Sequence, residues 1–298
     1  MDKSAFDISF GVSGAEAGRG DNNVTSQLWY DLILRRCGLA FRNAQLSGVM
    51  GIVREQAKAR GFSSEVYYQM LSKPGEHASE WEALVERLIN HETSFFRHPP
   101  SFEALQRHIL PDLREARLRR GKLNLWSAGC STGQEAYSLA MVAMDDEALK
   151  GDFTVWGSDI SRYAIDAARR GRYGRRAVAS VRPEDQRFLR PLNAATTEYD
   201  VTDELRQRTR FMVANLVAND NFSVSYDVIF CHNVLIYFSP AAVTHAVAFL
   251  ASRLTLGGYL LLGPGEAPNE RPLGLVPVTV NGVRVFQRRS ARSTEVRA

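Results

Sequence analysis

The stretch from Leu123 to Met141, LNLWSAGCSTGQEAYSLAM, limits the possible folds of this chain more than any other. Leu123 to Ser127 is a short apolar run with the length and composition of a buried parallel strand. Ala128-Gly129-Cys130-Ser131-Thr132-Gly133 follows with small residues and two glycines, the material of a tight turn. From Ala136 to Met141 the apolar positions recur at helical spacing. Strand, tight loop and helix in that order predict part of a βαβ unit, and with it an open α/β sheet.

Such a loop brings bare backbone N–H groups to the C-terminal edge of a sheet, where open α/β folds receive nucleotide-like ligands. Here Gly129-x-x-x-Gly133 is followed at once by Glu135. A carboxylate there repels a pyrophosphate and suits a cationic or hydroxyl-bearing ligand. S-adenosylmethionine, with its sulfonium, ammonium and ribose hydroxyls, has that polarity. On this stretch alone an ordinary strand–helix turn explains the glycines equally well. Phe153 to Asp159 adds a second apolar strand ending in an acid, one crossover further on, and Asp159 is the natural partner of ribose hydroxyls. The competing reading makes Asp159 or Ser161 the N-cap of the helix through Tyr163-Ala164-Ile165.

At 298 residues, 45% hydrophobic and 23% charged, the chain is long enough for a sizeable core and a second, smaller domain. It has no apolar run of membrane-spanning length, and Met1 to Phe10 lacks the apolar block of a signal peptide. The three cysteines, Cys37, Cys130 and Cys231, form no spaced metal set with the six histidines and no disulfide framework. A cytoplasmic, reduced protein without a metal is expected.

Read in order, residues 1–24 form a Gly-, Ser-, Ala- and Asp-rich arm without periodicity. Residues 25–90 read as a helical domain, with Asn43 as candidate cap of its second helix and Ser63-Ser64 opening its third. A basic side gathers Arg35, Arg36, Arg42, Arg54, Lys58 and Arg60. It fits a solvated face, a nucleic-acid surface or a dock for an acidic protein, and the scarcity of aromatics there weighs against single-stranded nucleic acid. Residues 91–110 read as a hinge and linker helix, in which Pro99-Pro100 stop one helix and Ser101 caps the next. Phe95 and Phe96 anchor the hinge while Thr93 and Arg97 point elsewhere. Residues 111–288 form the α/β domain, with a basic helix from Tyr163 to Arg175 and a small antiparallel β-excursion at about residues 180–210. A strand at Arg210 to Leu216, another at Tyr226 to Phe230 and a last strand region at Val278 to Phe286 follow, and residues 289–298 are a tail.

Four segments, HETSFFR (His91 to Arg97), WSAGCSTGQEAYSLA (Trp126 to Ala140), GSDIS (Gly157 to Ser161) and FCHNVLIYF (Phe230 to Phe238), together resemble the chemotaxis receptor glutamate O-methyltransferases of the CheR family. The resemblance runs from about Leu28 to Gln287. It implies a Rossmann-like S-adenosylmethionine-dependent methyltransferase domain with a small inserted antiparallel β-subdomain, preceded by an all-α N-terminal domain. By motif position it implies that His91, Thr93 and Arg97 reach the cofactor from the hinge, with Gly129 in the loop. Glu135 and Asp159 would bind its charged and ribose portions, Asn215 with Leu216 would flank the adenine, and Asn233 with Val234 would close the site. Two departures stand out. Pro191-Leu192-Asn193-Ala194-Ala195-Thr196 replaces the glycine-bearing turn of members that tether to a receptor's C-terminal pentapeptide, which puts that tether in doubt. Pro264-Gly265-Glu266 replaces the family's usual His-Ser-Glu after the fifth strand.

The activity so implied is methyl transfer from S-adenosylmethionine to glutamate side chains of chemoreceptor-like proteins with acidic helices, yielding methyl esters and S-adenosylhomocysteine. An ionised glutamate needs no general base, so alignment is the chief requirement. Arg97 and Tyr237 are the candidate orienting groups, although a structural Tyr at a strand end explains Tyr237 as well. The protein is expected to act as a monomer, without nucleic acid and without membrane insertion. Alternatives are methylation of a non-receptor protein, or a methyltransferase-like cofactor-binding scaffold. Cys130 and Cys231, each just past a strand of a neighbouring pair, are expected either to share one pocket wall or to be buried fillers.

Overall fold

The computed structural model describes residues 21–73, 75–149, 151–193, 197–218, 224–268, 270, 272 and 274–290, so the expected arm up to residue 20 and the tail from residue 291 lie outside them. The chain divides into Met1–Asn90 and His91–Ala298.

In the first unit the apolar stripes close on one another. Helices α1 (Asp21–Cys37), α2 (Asn43–Ala59), α3 (Ser64–Ser72) and α4 (Ala78–Leu88) follow in order. Trp29, Leu32 and Ile33 from α1, Val49 and Val53 from α2, Tyr67 and Leu71 from α3, and Trp81, Leu84 and Leu88 from α4 are buried at three- and four-residue spacing. Each such side chain contributes about 1.5–3 kcal/mol by leaving water. The Ser63 hydroxyl caps α3 by accepting the Val66 N–H. Asn43 is not the cap of α2. That place belongs to Arg42, whose N–H donates to Gln45 Oε1 at 2.9 Å, because a side chain three residues on can reach back to the orphan amide.

The second unit opens with α5 (Pro99–Ala104), one π turn (Leu105–Ile109) and α6 (Leu110–Arg120). Ser101 is therefore inside a helix that Pro99 and Pro100 begin, since a proline in the first turn forfeits no hydrogen bond. Then come β1 (Leu123–Ala128), α7 (Gln134–Met144), β2 (Phe153–Asp159), α8 (Arg162–Arg170), β3 (Arg172–Gly174), α9 (Arg175–Val178), β4 (Leu189–Pro191), β5 (Glu198–Val201), α10 (Asp203–Gln207), β6 (Thr209–Val213), β7 (Tyr226–Cys231), α11 (Pro240–Arg253), β8 (Leu254–Leu262), β9 (Leu275–Val280) and β10 (Val283–Arg288). The basic helix ends at Arg170 rather than Arg175, because Gly171 adopts a left-handed φ of 55° and closes it. The last strand region is a hairpin, turned by Asn281 and Gly282 at φ 49° and 77°, as Asn-Gly favours.

The fold is mixed α/β. Seven strands form one sheet in the order β6-β2-β1-β7-β8-β10-β9, and β3-β5-β4 form a small antiparallel sheet of their own. β1 pairs in parallel with both β2 and β7, so the chain leaves β1 in both directions and a crevice opens at the C-terminal strand ends there. Leu123 and Leu125 of β1 face one core with Leu139 of α7, and Trp126 and Ala128 face the other with Val247 and Leu250 of α11, as the strand's two-residue period requires. Among the described residues no helix is long and apolar enough to cross a membrane.

Candidate functional site

The crevice is built first from backbone. Gly129 and Cys130 both donate their N–H groups to the Ser158 carbonyl at 2.8 Å, tying the loop after β1 to the end of β2. Gly129 has φ +80°, and a Cβ there would run into Val234 Cγ2. Gly133 has φ +98°, and a Cβ there would come within 2.8 Å of the Ala168 Cβ. No other residue fits either position without strain.

Asp159 ends β2. Its Oδ2 accepts the Ser131 N–H at 2.8 Å and its Oδ1 accepts the Ser161 N–H at 3.0 Å. Ser161, by contrast, is the true cap of α8, its hydroxyl accepting the Ala164 N–H at 2.9 Å. Asp159 thus lies at the junction of the two loops, between the strands and not on the helix.

Glu135, in the first turn of α7, extends back toward the sheet. Its Oε1 accepts the Ser127 hydroxyl at 2.7 Å, and its Oε2 lies 3.2 Å from His232 Nδ1. The His232 and His98 rings meet at 4.8 Å. His98 Nε2 is 2.8 Å from Asn233 Oδ1, so Nε2 carries the proton. Burial lowers the affinity of His98 for a second proton, and the neighbouring His232 adds to that effect. Asn233 has a left-handed φ of 59°, held by Glu266. That carboxylate, 4% exposed, accepts the N–H groups of Gly263 at 2.8 Å, Asn233 at 2.9 Å and Ile236 at 3.1 Å.

The approach from His91 to His98 lies along the same edge. The Ser131 hydroxyl donates to the His91 carbonyl at 3.1 Å, and the Phe96 N–H donates to the Ser138 hydroxyl at 3.1 Å. Phe95 packs edge-on to Tyr173 at 5.0 Å and Phe96 to Phe102 at 5.1 Å. Arg97 is exposed and donates to the Glu92 carbonyl at 2.9 Å. Thr93 is half-buried.

Of the residues expected from the sequence, His91, Gly129, Glu135, Asp159, Asn233 and Val234 come together at the ends of β1, β2 and β7. Asn215 follows β6 and turns its Oδ1 onto the Val217 N–H at 3.0 Å, while Leu216 is buried with Trp126. Tyr237 ends a 3-10 turn over Leu235–Tyr237 and is half-buried. Among the described residues, the hydrogen bonds that Glu135 makes with Ser127 and Asn233 makes with Glu266 and His98 include neither Arg97 nor Tyr237. Ser127, His98, His232 and Glu266 were not among the site residues expected from the sequence. His232 adjoins Asn233 in FCHNVLIYF, but nothing in one dimension tells that it meets Glu135. The expectation of a shared cysteine wall fails. Cys130 belongs to one core and Cys231 to the other, and both are buried: Cys231 ends β7 in the core that Ala128 of β1 also enters, whereas Cys130 lies two residues past β1, beyond the turn at Gly129 (φ 80°), and enters the opposite core.

A glycine cradle without room for a Cβ, flanked by carboxylates, suits a ligand with hydroxyls at one end and a cation at the other. Among the described residues no group of His, Cys, Asp or Glu is arranged to hold a metal ion. The S-adenosylmethionine-binding domain of CheR methyltransferases matches residues 91–276. The chain is 34% identical to chemotaxis protein methyltransferase 1 of Pseudomonas aeruginosa over 198 residues, 64% of this chain and 71% of that one. It is 30% identical to the chemotaxis protein methyltransferase of Escherichia coli over 240 residues, 79% of this chain and 81% of that one. It is 32% identical to the probable biofilm formation methyltransferase WspC of Pseudomonas aeruginosa over 267 residues, 87% of this chain but 61% of that longer one.

Proposed function

The chain belongs to the CheR methyltransferase family, an S-adenosylmethionine-dependent family, and from that premise we propose that it methylates glutamate side chains of a chemoreceptor-like signalling protein in sensory adaptation. The products are glutamate methyl esters and S-adenosylhomocysteine. One observation carries the reading. At the β1/β7 switch point the glycine cradle has Asp159 at one end and Glu135 at the other, the polarity that a ribose and an α-ammonium require.

S-adenosylmethionine supplies an electrophilic methyl group on a sulfonium. In this reading Asp159 receives ribose hydroxyls, Glu135 receives the ammonium, Asn215 and Leu216 border the base, and Asn233 with Val234 closes the wall. Thr93 and Arg97 reach in from the segment anchored by Phe95 and Phe96, and Arg97 and Tyr237 orient the acceptor. The acceptor carboxylate is already ionised near neutral pH. It forms the new C–O bond in line as the S–C bond breaks, the bonding pair stays on sulfur, and no proton has to move. Holding two partners in this alignment is worth roughly 7–11 kcal/mol of barrier.

The partner reading rests on the first unit. Arg35, Arg54 and Lys58 are exposed and form no ion pair among the described residues. Arg36 and Arg60, in contrast, serve the bundle itself. Arg36 donates to the Leu71 carbonyl at 2.9 Å and lies 3.9 Å over Trp81, and Arg60 pairs with Glu80 at 2.9 Å. The unpaired cations suit acidic receptor helices. Incubation with methyl-labelled S-adenosylmethionine and a receptor-bearing membrane fraction should yield label released as methanol by mild base. Base-stable label, or none, overturns the glutamate reading.

A further inference from the structure

Phe96 is held in a backbone conformation that its own side chain does not favour. Five described residues other than glycine have a positive φ, and Phe96, at 51°, is the one among them without a polar side chain to bond its own backbone. Its surroundings must therefore hold it there. The ring is buried, edge-on to Phe102 at 5.1 Å and beneath the Arg182 guanidinium at 4.7 Å. Arg182 is fixed in turn by Asp185 and by Gln106, whose Oε1 accepts its Nη1 at 3.0 Å. The Phe96 N–H donates to the hydroxyl of Ser138, a residue of α7 with no exposure, at 3.1 Å. That hydroxyl spends its one hydrogen on the Gln134 carbonyl at 2.7 Å, which leaves its lone pairs for Phe96. The other end of the segment is fastened likewise, by the Ser131 hydroxyl on the His91 carbonyl. Thr93 lies between the two ties, and Arg97 directly follows the second.

We infer that Ser138 is a positioning residue for the cofactor: by holding the left-handed turn at Phe96, it sets where Arg97 stands against bound S-adenosylmethionine. The inference rests on the proposed reading of Arg97. A change of φ from positive to negative swings the chain that follows, and Arg97 is the first residue so carried. In the turned conformation its guanidinium donates back to the Glu92 carbonyl at 2.9 Å. Ser138 stands one turn of α7 beyond Glu135, so the helix that carries Glu135 also sets the register of Arg97, and one rigid element serves both. Being unexposed, Ser138 touches no ligand and acts only through Phe96.

The test is a double-mutant cycle of Ser138→Ala and Arg97→Ala, read as the calorimetric S-adenosylhomocysteine affinity of the full chain well below the unfolding temperature of every variant. Each single variant should bind about three- to tenfold more weakly. The double variant should bind no more weakly than Arg97→Ala, because Ser138 acts through a residue already removed. Ser138→Cys, close in size but a weaker acceptor, should lie between the wild type and Ser138→Ala. A loss in the double variant equal to the product of the two single losses marks Ser138 as structural only and overturns the inference. Wild-type affinity in Ser138→Ala beside a weakened Arg97→Ala overturns it too. Wild-type affinity in Arg97→Ala overturns the reading of Arg97 and the inference with it. Should Ser138→Ala fail to fold, hydrogen exchange of the Phe96 amide decides. Saturation with S-adenosylhomocysteine should slow that exchange more in the wild type than in Arg97→Ala, since coupling between two sites is reciprocal. Equal slowing in the two proteins overturns the proposal.

Discussion

Asp159 joins the two loops of the crevice, accepting the Ser131 N–H with one carboxylate oxygen and the Ser161 N–H with the other, at 2.8 and 3.0 Å. Asp159→Ala removes both acceptors, at about 1–3 kcal/mol for each amide left without a partner. The variant should unfold at lower denaturant and bind S-adenosylhomocysteine at least several-fold more weakly. Asp159→Asn, which retains one acceptor oxygen, should lie between the two. Calorimetric affinity equal to the wild type in Asp159→Ala removes the residue from the ligand site.

Gly129 is held to its identity twice, by φ +80° and by Val234. Gly129→Ala should cost about 1–3 kcal/mol through backbone strain alone, and more through the contact. Pairing it with Val234→Ala should recover the contact component and leave the strain. Denaturant midpoints of the two single variants and the double variant measure this coupling. Strict additivity contradicts the packing account.

Glu266 anchors the loop that carries Asn233. Glu266→Ala leaves the N–H groups of Gly263, Asn233 and Ile236 without their acceptor, and a loss of roughly 3 kcal/mol or more is expected. Glu266→Gln keeps one acceptor oxygen and should lose less. A Glu266→Ala protein as stable as the wild type in urea refutes this anchoring role.

The exposed cations of α2 give a partner-specific expectation. Arg54→Glu with Lys58→Glu should slow methylation of a receptor while leaving S-adenosylhomocysteine affinity unchanged. The wild-type rate should fall as salt rises, since charges are screened over about 10 Å at roughly 0.1 M. A rate unaffected by both changes marks this side of α2 as solvated surface only.

All three thiols are buried. Burial pushes Cys37 up to about 12 and raises Cys130 and Cys231 well above the usual range. A raised value in the folded state means that the unfolded chain releases protons first. These residues therefore contribute stability that is intact below about pH 8.5 and falls as pH rises above it. Urea midpoints between about pH 7.5 and pH 10 should decline, and Cys130→Ala with Cys231→Ala should flatten the decline. Thiol labelling should follow global unfolding, and rapid labelling of the folded protein contradicts it.

The strand–loop–helix at Leu123 to Met141 was legible because its period changes from two to three or four residues across a pair of glycines. Phe153 to Asp159 matched its strand end for end. Boundaries set by single residues were less legible. Gly171 shortened a helix, Arg42 displaced Asn43 as a cap, and Pro99 began the helix that Ser101 was expected to cap. The Asn281-Gly282 turn was readable in principle, since Asn-Gly between apolar runs is a strong hairpin signal.

What the sequence determined by itself was the strand, glycine turn and helix that carry Glu135 and the separate strand that ends in Asp159, each set by residues adjacent to it in the chain. The meeting of His232 with Glu135, the service of Glu266 to Asn233, and the separation of Cys130 from Cys231 onto opposite faces belong to the tertiary structure alone. Each joins or parts residues at or beyond the ends of different strands. The pairing order of the sheet, β2-β1-β7-β8, decides which strand ends are adjacent, and the turn that follows each strand decides which way the next side chains face.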